Sequence, residues 1–174
     1  MTTASITLDE AVDVARTGDV WLFRGHTVAD RAIQVATNSP VNHVGMVVAI
    51  DDLPPLLWHA ELGRSLPDVW TGARHRGVQL HDLREASCAV EGNGVPSFRS
   101  SGRPQAPGTD PETAYCAQVL AATYQAMGLL PDGRRPGWYD PGSFWSGDSL
   151  GLAAGFRLGG EIAVAILPLP RSRA

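Results

Sequence analysis

The sequence has no lysine, no long hydrophobic run and only two cysteines, and these shortages exclude several classes of protein. All 14 basic residues are arginines, and only Arg134 and Arg135 are adjacent. Scattered arginines offer no basic stripe that could follow a nucleic-acid backbone. A membrane-spanning helix needs about 18 or more consecutive apolar residues, and no such run exists. We therefore expect no nucleic-acid partner and no integral membrane segment.

The N-terminal stretch and the cysteines also lack familiar patterns. Residues 1–14, MTTASITLDEAVDV, have neither the basic start nor the apolar centre of a signal peptide, so the expected location is the cytoplasm. The two cysteines form no CxxC pair, and a disulfide is not expected in that compartment. Cys88, in the stretch EASCAV, is interpreted as a buried structural thiol.

Length and composition favour one globular domain over residues 1–174. The net charge is −4, and 44% of the residues are hydrophobic. Residues 91–110 are dense in glycine, proline and serine, which predicts a long surface loop. A domain boundary there is the alternative, but about 90 residues on either side are few for two separate cores.

Secondary-structure signals are clearest at the starts of the helices. Thr7 followed by Glu10 is typical of a capping box, and Thr27 can cap a helix that ends before Ser39-Pro40. Five apolar runs predict strands: 18–23, 43–50, 56–62, 77–83 and 161–168.

The strongest helical pattern follows the glycine-rich and proline-rich stretch. Asp110 is a suitable N-cap, Pro111 fits the first helical position, and the apolar periodicity continues to Gly128. Cys116 would then lie in the second turn, where the effect of the helix dipole on a thiol has largely decayed.

The residues that could carry chemistry are few. GxSxG, GxxxxGK[ST], HExxH and GxGxxG are all missing. A cysteine becomes a good nucleophile when a base removes its proton, and the base needs a polar partner that fixes its orientation. Cys116 and His43 could meet if the helix packs across the sheet, although a cysteine in an alanine-rich helix is more commonly a core residue.

Three stretches taken together resemble a known family. NHVGMVV, LWHAEL and AYCAQVLAATYQAMGLL are similar to the circularly permuted papain-like cysteine hydrolases of the NlpC superfamily, the YiiX-like group, which are related to the lecithin retinol acyltransferase-like enzymes. The resemblance extends over residues 17–167 and is sharpest around His43 and Cys116. It implies an α+β fold in which a small antiparallel sheet or barrel packs against helices, including the nucleophile helix.

The resemblance also implies roles for individual residues. Cys116 matches the nucleophile and His43 the general base. His59 matches the third polar position, and Glu61, on the same strand face, is the alternate. The resemblance places the nucleophile nearer the helix start than the Asp110 cap allows. The backbone N–H of Cys116 is expected to meet the oxyanion.

Other side chains receive lesser roles. Tyr115, Trp58 and Trp145 could line a substrate groove. The remaining histidines, His26, His75 and His81, are interpreted as surface or loop residues.

The expected activity is hydrolysis of an amide bond in a small peptide or amino-acid conjugate, without a cofactor. The Tyr-Cys-Ala sequence at Cys116 differs from the Asn-Cys-Glu-like motif of the lipid-acyl relatives. Three alternatives remain open: a lipid acyl hydrolase or acyltransferase, an inactive ligand-binding module of the same fold, and a zinc-dependent hydrolase using His43, His59 and Glu61. The sequence gives no indication of the oligomeric state.

Overall fold

The structure is a computed structural model that describes residues 5–61, 63, 65–92, 115–153 and 155–165. Within these residues the fold is mixed α+β, with four helices and a four-stranded antiparallel sheet. The elements are β1 (Ser5–Thr7), α1 (Leu8–Val14), β2 (Val20–Phe23), α2 (Val28–Ala36), β3 (His43–Val48), β4 (Leu56–Glu61), β5 (Gly77–Asp82), α3 (Leu83–Gly92), α4 (Cys116–Ala126) and β6 (Ala163–Ala165). Two short 3-10 turns, Pro136–Trp138 and Pro141–Phe144, follow α4.

Both predicted helix caps are present. The Thr7 side chain accepts a hydrogen bond from the backbone of Glu10, and the Glu10 carboxylate accepts one from the backbone of Thr7. Thr27 and Asp30 make the same reciprocal pair at the start of α2. These side chains satisfy backbone N–H groups that a helix start otherwise leaves unpaired.

The four-stranded sheet has the order β2-β3-β4-β5, and every neighbouring pair is antiparallel. β3 pairs with β2 as far as the Phe23↔His43 register. Its pairing with β4 covers only Met46–Val48, opposite Leu56–Trp58. The backbones of β3 and β4 are therefore hydrogen-bonded at one end of the strands, and the pairing stops before the end that carries His43.

Alternation along the strands divides the core into two layers. Val44 and Met46 point to one face, where they pack against α4 through Leu120. Val47 and Leu57 point to the other face and join a cluster with Leu8 and Val12 of α1 and with Leu83 and Ala86 of α3. Side chains of successive residues in a strand project to opposite faces, so His43 shares the second face with Val47.

The start of α4 differs from the sequence prediction. The helix begins at Cys116, and Tyr115 before it has an extended backbone with φ −88° and ψ 152°. The predicted start at Asp110 is therefore wrong, while Asp110 and Pro111 themselves lie outside the described residues. The predicted end is confirmed, because Gly128 follows the helix with a left-handed φ of +71°.

Helix α3 was not predicted, and it changes two expectations. It runs to Gly92, so residues 91 and 92 are helical, and the rest of the predicted loop at 91–110 lies outside the described residues. Cys88 is exposed on this helix, so its interpretation as a buried thiol is wrong. The buried positions of α3 are instead Leu83, Ala86 and Ser87.

The predicted closing strand at 161–168 is only partly described. Ala163–Ala165 form β6, which pairs in parallel with β1 in a separate two-stranded sheet. Residues 166–168 lie outside the described part of the chain. In the described residues, no helix combines the length and apolar character that crossing a bilayer requires.

Candidate active site

The site lies at the end of the sheet where the pairing of β3 with β4 has stopped. There the side chains of His43 and His59 connect the two strands, with 2.8 Å between Nε2 of His43 and Nδ1 of His59. Their rings meet edge to face, with centroids 5.0 Å apart. One ring nitrogen of His43 is thereby committed to His59, and only Nδ1 remains available for another partner.

Gly45 gives His59 the space for this contact. A Cβ atom at position 45 would stand 2.7 Å from Leu57 Cδ1 and 3.1 Å from the Cβ of His59. Both distances are closer than ordinary carbon–carbon contacts. The glycine in HVGMVV therefore allows the side chains of β4 to lie across β3.

A buried polar network supports the turn that precedes His43. Asn42 accepts a hydrogen bond from the Gly25 N–H at 2.6 Å and donates one to Asp30 at 2.8 Å. The Gln34 amide donates to the carbonyl oxygens of Gly25 and Pro40. Because these bonds join the turn to the start of α2, they fix the position from which His43 enters β3.

Cys116 is the first residue of α4 and is partly buried. Its sulfur lies against the backbone N–H groups of Val44, Ala117 and Cys116 itself. The thiol is thus beside the residue that follows His43. Among the described residues, however, no hydrogen bond joins the Cys116 sulfur to His43. Cys116 packs with the cluster that contains Val44, whereas alternation places His43 on the face of Val47, so the structure does not bring the thiol and the imidazole into hydrogen-bond contact.

Burial keeps both groups of the expected pair uncharged at neutral pH. Burial raises the pKa of the Cys116 thiol to about 11, although the adjacent N–H groups act in the opposite direction. Burial also lowers the pKa of His43 to about 4, with Asp30 raising it and His81 lowering it further. Transfer of the thiol proton to His43 is therefore unfavourable in this structure.

The hydrogen-bonded chain continues beyond His59. Nε2 of His59 lies 2.9 Å from Nδ1 of His81, and Nε2 of His81 lies 3.0 Å from Oε1 of Gln79. His59, His81 and Gln79 are each only 1% exposed. The interpretation of His81 as a surface or loop residue is therefore wrong, because its face of β5 is covered by the layer that contains Leu57 and α3.

Glu61 is near this chain but does not contact His43. Its carboxylate accepts a hydrogen bond from the Ser65 hydroxyl at 2.7 Å. Oε2 of Glu61 lies 4.0 Å from Nδ1 of His81, beyond hydrogen-bond distance. Of the two candidates for the third position, the structure therefore brings His59, and not Glu61, into contact with His43.

The three aromatic candidates are in different surroundings. Tyr115 adjoins Cys116 and is 51% exposed. Trp58 packs against the α4 layer, where its indole N–H donates to the Thr123 hydroxyl at 3.1 Å. Trp145 is partly buried after the second 3-10 turn, and its ring covers Gly147. Only Tyr115 adjoins the thiol along the chain.

The interpretation of His26 and His75 as surface or loop residues is confirmed. His26 is exposed, and His75 lies in the loop before β5.

His59, Glu61 and His81 form a group that could hold a metal ion, since their ligand atoms all lie within 4.8 Å of one another. The zinc alternative proposed from the sequence used His43, His59 and Glu61. In the structure the third ligand of the group is His81 and not His43. Two ligands of a tetrahedral zinc ion are about 3.3 Å apart when Zn–N bonds are about 2.0–2.1 Å. The 2.9 Å between the His59 and His81 nitrogens is shorter. In the observed geometry these rings bind each other, and a metal would require them to separate.

Comparison with known proteins adds no assignment. No protein-family model matches the sequence, and no curated protein matches it significantly.

Proposed function

We propose that this protein is a cysteine hydrolase of the circularly permuted papain-like type, in which Cys116 is the nucleophile and His43 the general base. The observation that carries the proposal is the 2.8 Å contact between His43 and His59 at the open end of the sheet. Nucleophilic acyl transfer requires an imidazole that a second polar side chain orients and a cysteine thiol that this imidazole can deprotonate. The proposal is that substrate binding brings Cys116 and the oriented His43 ring together.

In the proposed reaction the Cys116 thiol gives its proton to Nδ1 of His43 as the sulfur attacks the substrate carbonyl carbon, and a tetrahedral intermediate forms. When this collapses, the leaving amine takes the proton from His43 and the acyl group stays on the sulfur. Water, deprotonated by His43, releases the acyl group. His59 holds the His43 ring throughout, through the bond to Nε2.

The start of α4 offers donors for the oxyanion. Tyr115, the N-cap residue, makes no side-chain hydrogen bond to the helix. Backbone N–H groups in the first turn of a helix have no intrahelical acceptor. We assign the oxyanion to this turn, with the N–H of Cys116 as the first donor. Because Cys116 is the first helical residue, the helix dipole also favours negative charge at its position.

The proposed substrate class is an amide in a small peptide or amino-acid conjugate. It is supported by the Tyr-Cys-Ala sequence at the nucleophile, which differs from the motif of the lipid-acyl relatives. A lipid acyl hydrolase or acyltransferase uses the same three side chains. Turnover of dipeptide amides compared with long-chain acyl esters distinguishes the two. The cytoplasmic location and the lack of a nucleic-acid partner remain predictions of the sequence.

Acylation by a small activated ester tests the chemistry without knowledge of the natural substrate. Exposed Cys88 could also react, so the experiment uses the Cys88→Ser variant. We expect p-nitrophenyl acetate to give a burst of one p-nitrophenolate per chain, and mass spectrometry to locate the acetyl group on Cys116. In His43→Ala the acylation rate should fall about 10²- to 10⁴-fold, the usual contribution of a general base.

A burst of the same rate in His43→Ala, or acetylation elsewhere than Cys116, would contradict the proposal. An acetylation-inert protein that still binds peptides would indicate the ligand-binding alternative. The zinc-dependent alternative rests on the His59, Glu61 and His81 group. It predicts stoichiometric zinc by elemental analysis and activity that survives Cys116→Ala.

A further inference from the structure

Two buried side chains of β5 have no part in the proposed triad. His81 and Gln79 are each 1% exposed and extend the chain that begins at His43. Among the described residues, the Gln79 amide nitrogen is buried without a hydrogen-bond partner. Buried polar groups are expensive unless they are satisfied, and an exception in a native fold calls for an explanation.

The hydrogen-bonding rules of imidazole make this chain directional. A neutral histidine donates from one ring nitrogen and accepts at the other. The Gln79 oxygen can only accept, so His81 must donate to it from Nε2. Nδ1 of His81 is then an acceptor, and the proton in the 2.9 Å contact belongs to Nε2 of His59.

The same rule carries the direction as far as His43. Because His59 donates from Nε2, its Nδ1 must accept, and the donor in the 2.8 Å contact is Nε2–H of His43. Nδ1 of His43 is left with a lone pair. This is the nitrogen not engaged by His59, and a base for the thiol of Cys116 needs that lone pair.

We propose that Gln79 and His81 are positioning residues that set the tautomers of His59 and His43, so that all three histidines carry their proton on Nε2. The consequence for catalysis rests on the proposed function, whereas the tautomers themselves do not. If the chain ran in the opposite direction, each histidine would carry its proton on Nδ1, and His43 would have no lone pair for Cys116.

The surroundings of His81 agree with this direction. A proton on Nδ1 of His81 would favour a bond to the Glu61 carboxylate, yet Oε2 of Glu61 is 4.0 Å away. The Ser65 hydroxyl donates to the other oxygen of this carboxylate, Oε1. Nδ1 of His81 is directed to His59, at a hydrogen-bond distance that Glu61 does not offer.

Nitrogen-15 NMR of histidine-labelled protein tests the proposal, since the two tautomers of a neutral ring give distinct ring-nitrogen signals. We expect Nε2–H for His43, His59 and His81 at neutral pH. His26 and His75, which take no part in the hydrogen-bonded row of His43, His59 and His81, serve as internal references. Nδ1–H tautomers at these three positions, or rapid exchange between tautomers, would overturn the proposal.

Two substitutions of Gln79 distinguish the effect of its acceptor oxygen from the effect of its side-chain size. Gln79→Met keeps an unbranched side chain and removes the acceptor, so the Nε2–H preference of His81 and His43 should be lost. Gln79→Glu keeps an acceptor oxygen and should retain it. In the acetylation assay, Gln79→Met should lower the limiting acylation rate about twofold or more with little change in the ester concentration at half-saturation, because about half of the His43 population then lacks the lone pair. Unchanged tautomers in Gln79→Met would count against the proposal.

The two proposals fail in different ways. The tautomers can be measured in Cys116→Ala, which has no side-chain nucleophile at position 116. Nε2–H tautomers in a protein that never acylates would leave the positioning role intact and reject the hydrolase. Acylation at Cys116 in a protein whose three histidines carry the proton on Nδ1 would support the hydrolase and reject the positioning role. If Gln79→Met does not fold, the wild-type spectrum and Gln79→Glu still decide the direction of the chain.

Discussion

Strands β3 and β4 are held together by different interactions at their two ends. At the Val48 end, backbone hydrogen bonds align Met46–Val48 with Leu56–Trp58, and apolar side chains pack on both faces. At the other end the pairing has stopped, and the imidazole rings of His43 and His59 make the contact. At the open end, Nδ1 of His43 is the ring nitrogen of this histidine chain that no hydrogen bond within the chain engages.

The histidine end should respond to acid and the backbone-paired end should not. Because burial holds the pKa of His43 at about 4 in the folded chain, the unfolded chain binds protons first as the pH falls below about 6.5. Stability should therefore fall with pH in this window, by about 3 kcal/mol for His43 alone between about pH 7 and pH 4. Burial also lowers the pKa values of His59 and His81, which adds to the same trend.

Urea unfolding at a series of pH values measures this effect. His43→Asn should show a shallower loss of stability in acid than the wild type. His26→Asn, which alters an exposed histidine, is the matched control and should follow the wild-type curve. Three superimposable pH profiles would show that the buried ring makes no contribution.

A methyl group at position 45 should disturb the boundary between the two ends. The added Cβ of Gly45→Ala would press against Leu57 and His59. We expect a loss of about 1–3 kcal/mol in the free energy of unfolding, together with slower acylation as His59 is displaced. Gly133→Ala is the control, since a Cβ there meets nothing within 4 Å. Equal stability of the two variants would mean that the close approach at Gly45 is unimportant.

The smallest effect is expected at the backbone-paired end. Trp58→Phe removes the hydrogen bond from the indole to Thr123 and keeps an aromatic ring against α4. Chemical unfolding should show a loss of about 1 kcal/mol, the usual net value of one hydrogen bond. The acylation rate of Cys116 should stay unchanged. A large loss of acylation would instead give Trp58 a part in the site.

Much of the fold could be predicted because the signals are local. The strands around His43, His59 and His81 were each expected from short apolar runs between turn residues, and all three are present. The caps at Thr7 and Thr27 follow from side chains that reach three residues along the chain. Such features depend on near neighbours, so one sequence contains nearly all of their physics.

Two of the errors, at His81 and Cys88, have a common origin in burial. His81 was expected at the surface and is buried, and Cys88 was expected to be buried and is exposed. A strand or helix pattern does not say which face of the element another element will cover. α3 covers the face of β5 that carries His81, and the same helix turns Cys88 to solvent. The start of α4 was also misplaced, because Asp110 and Pro111 are good local signals for a helix that in fact begins at Cys116.

By itself, the sequence determined the alternation of the strands, the helix caps at Thr7 and Thr27, and the position of His43 at the start of a strand. Only the structure showed that Cys116 is the first residue of its helix. Alternation put His59 and Glu61 on the same side of β4, and the family resemblance favoured His59 with Glu61 as the alternate. Only the tertiary structure decided between them. The absence of a side chain at Gly45 lets the His59 ring cross to β3, while Ser65 holds the Glu61 carboxylate. The contact between His59 and His81 likewise depends on the pairing of β4 with β5, which no local pattern specifies.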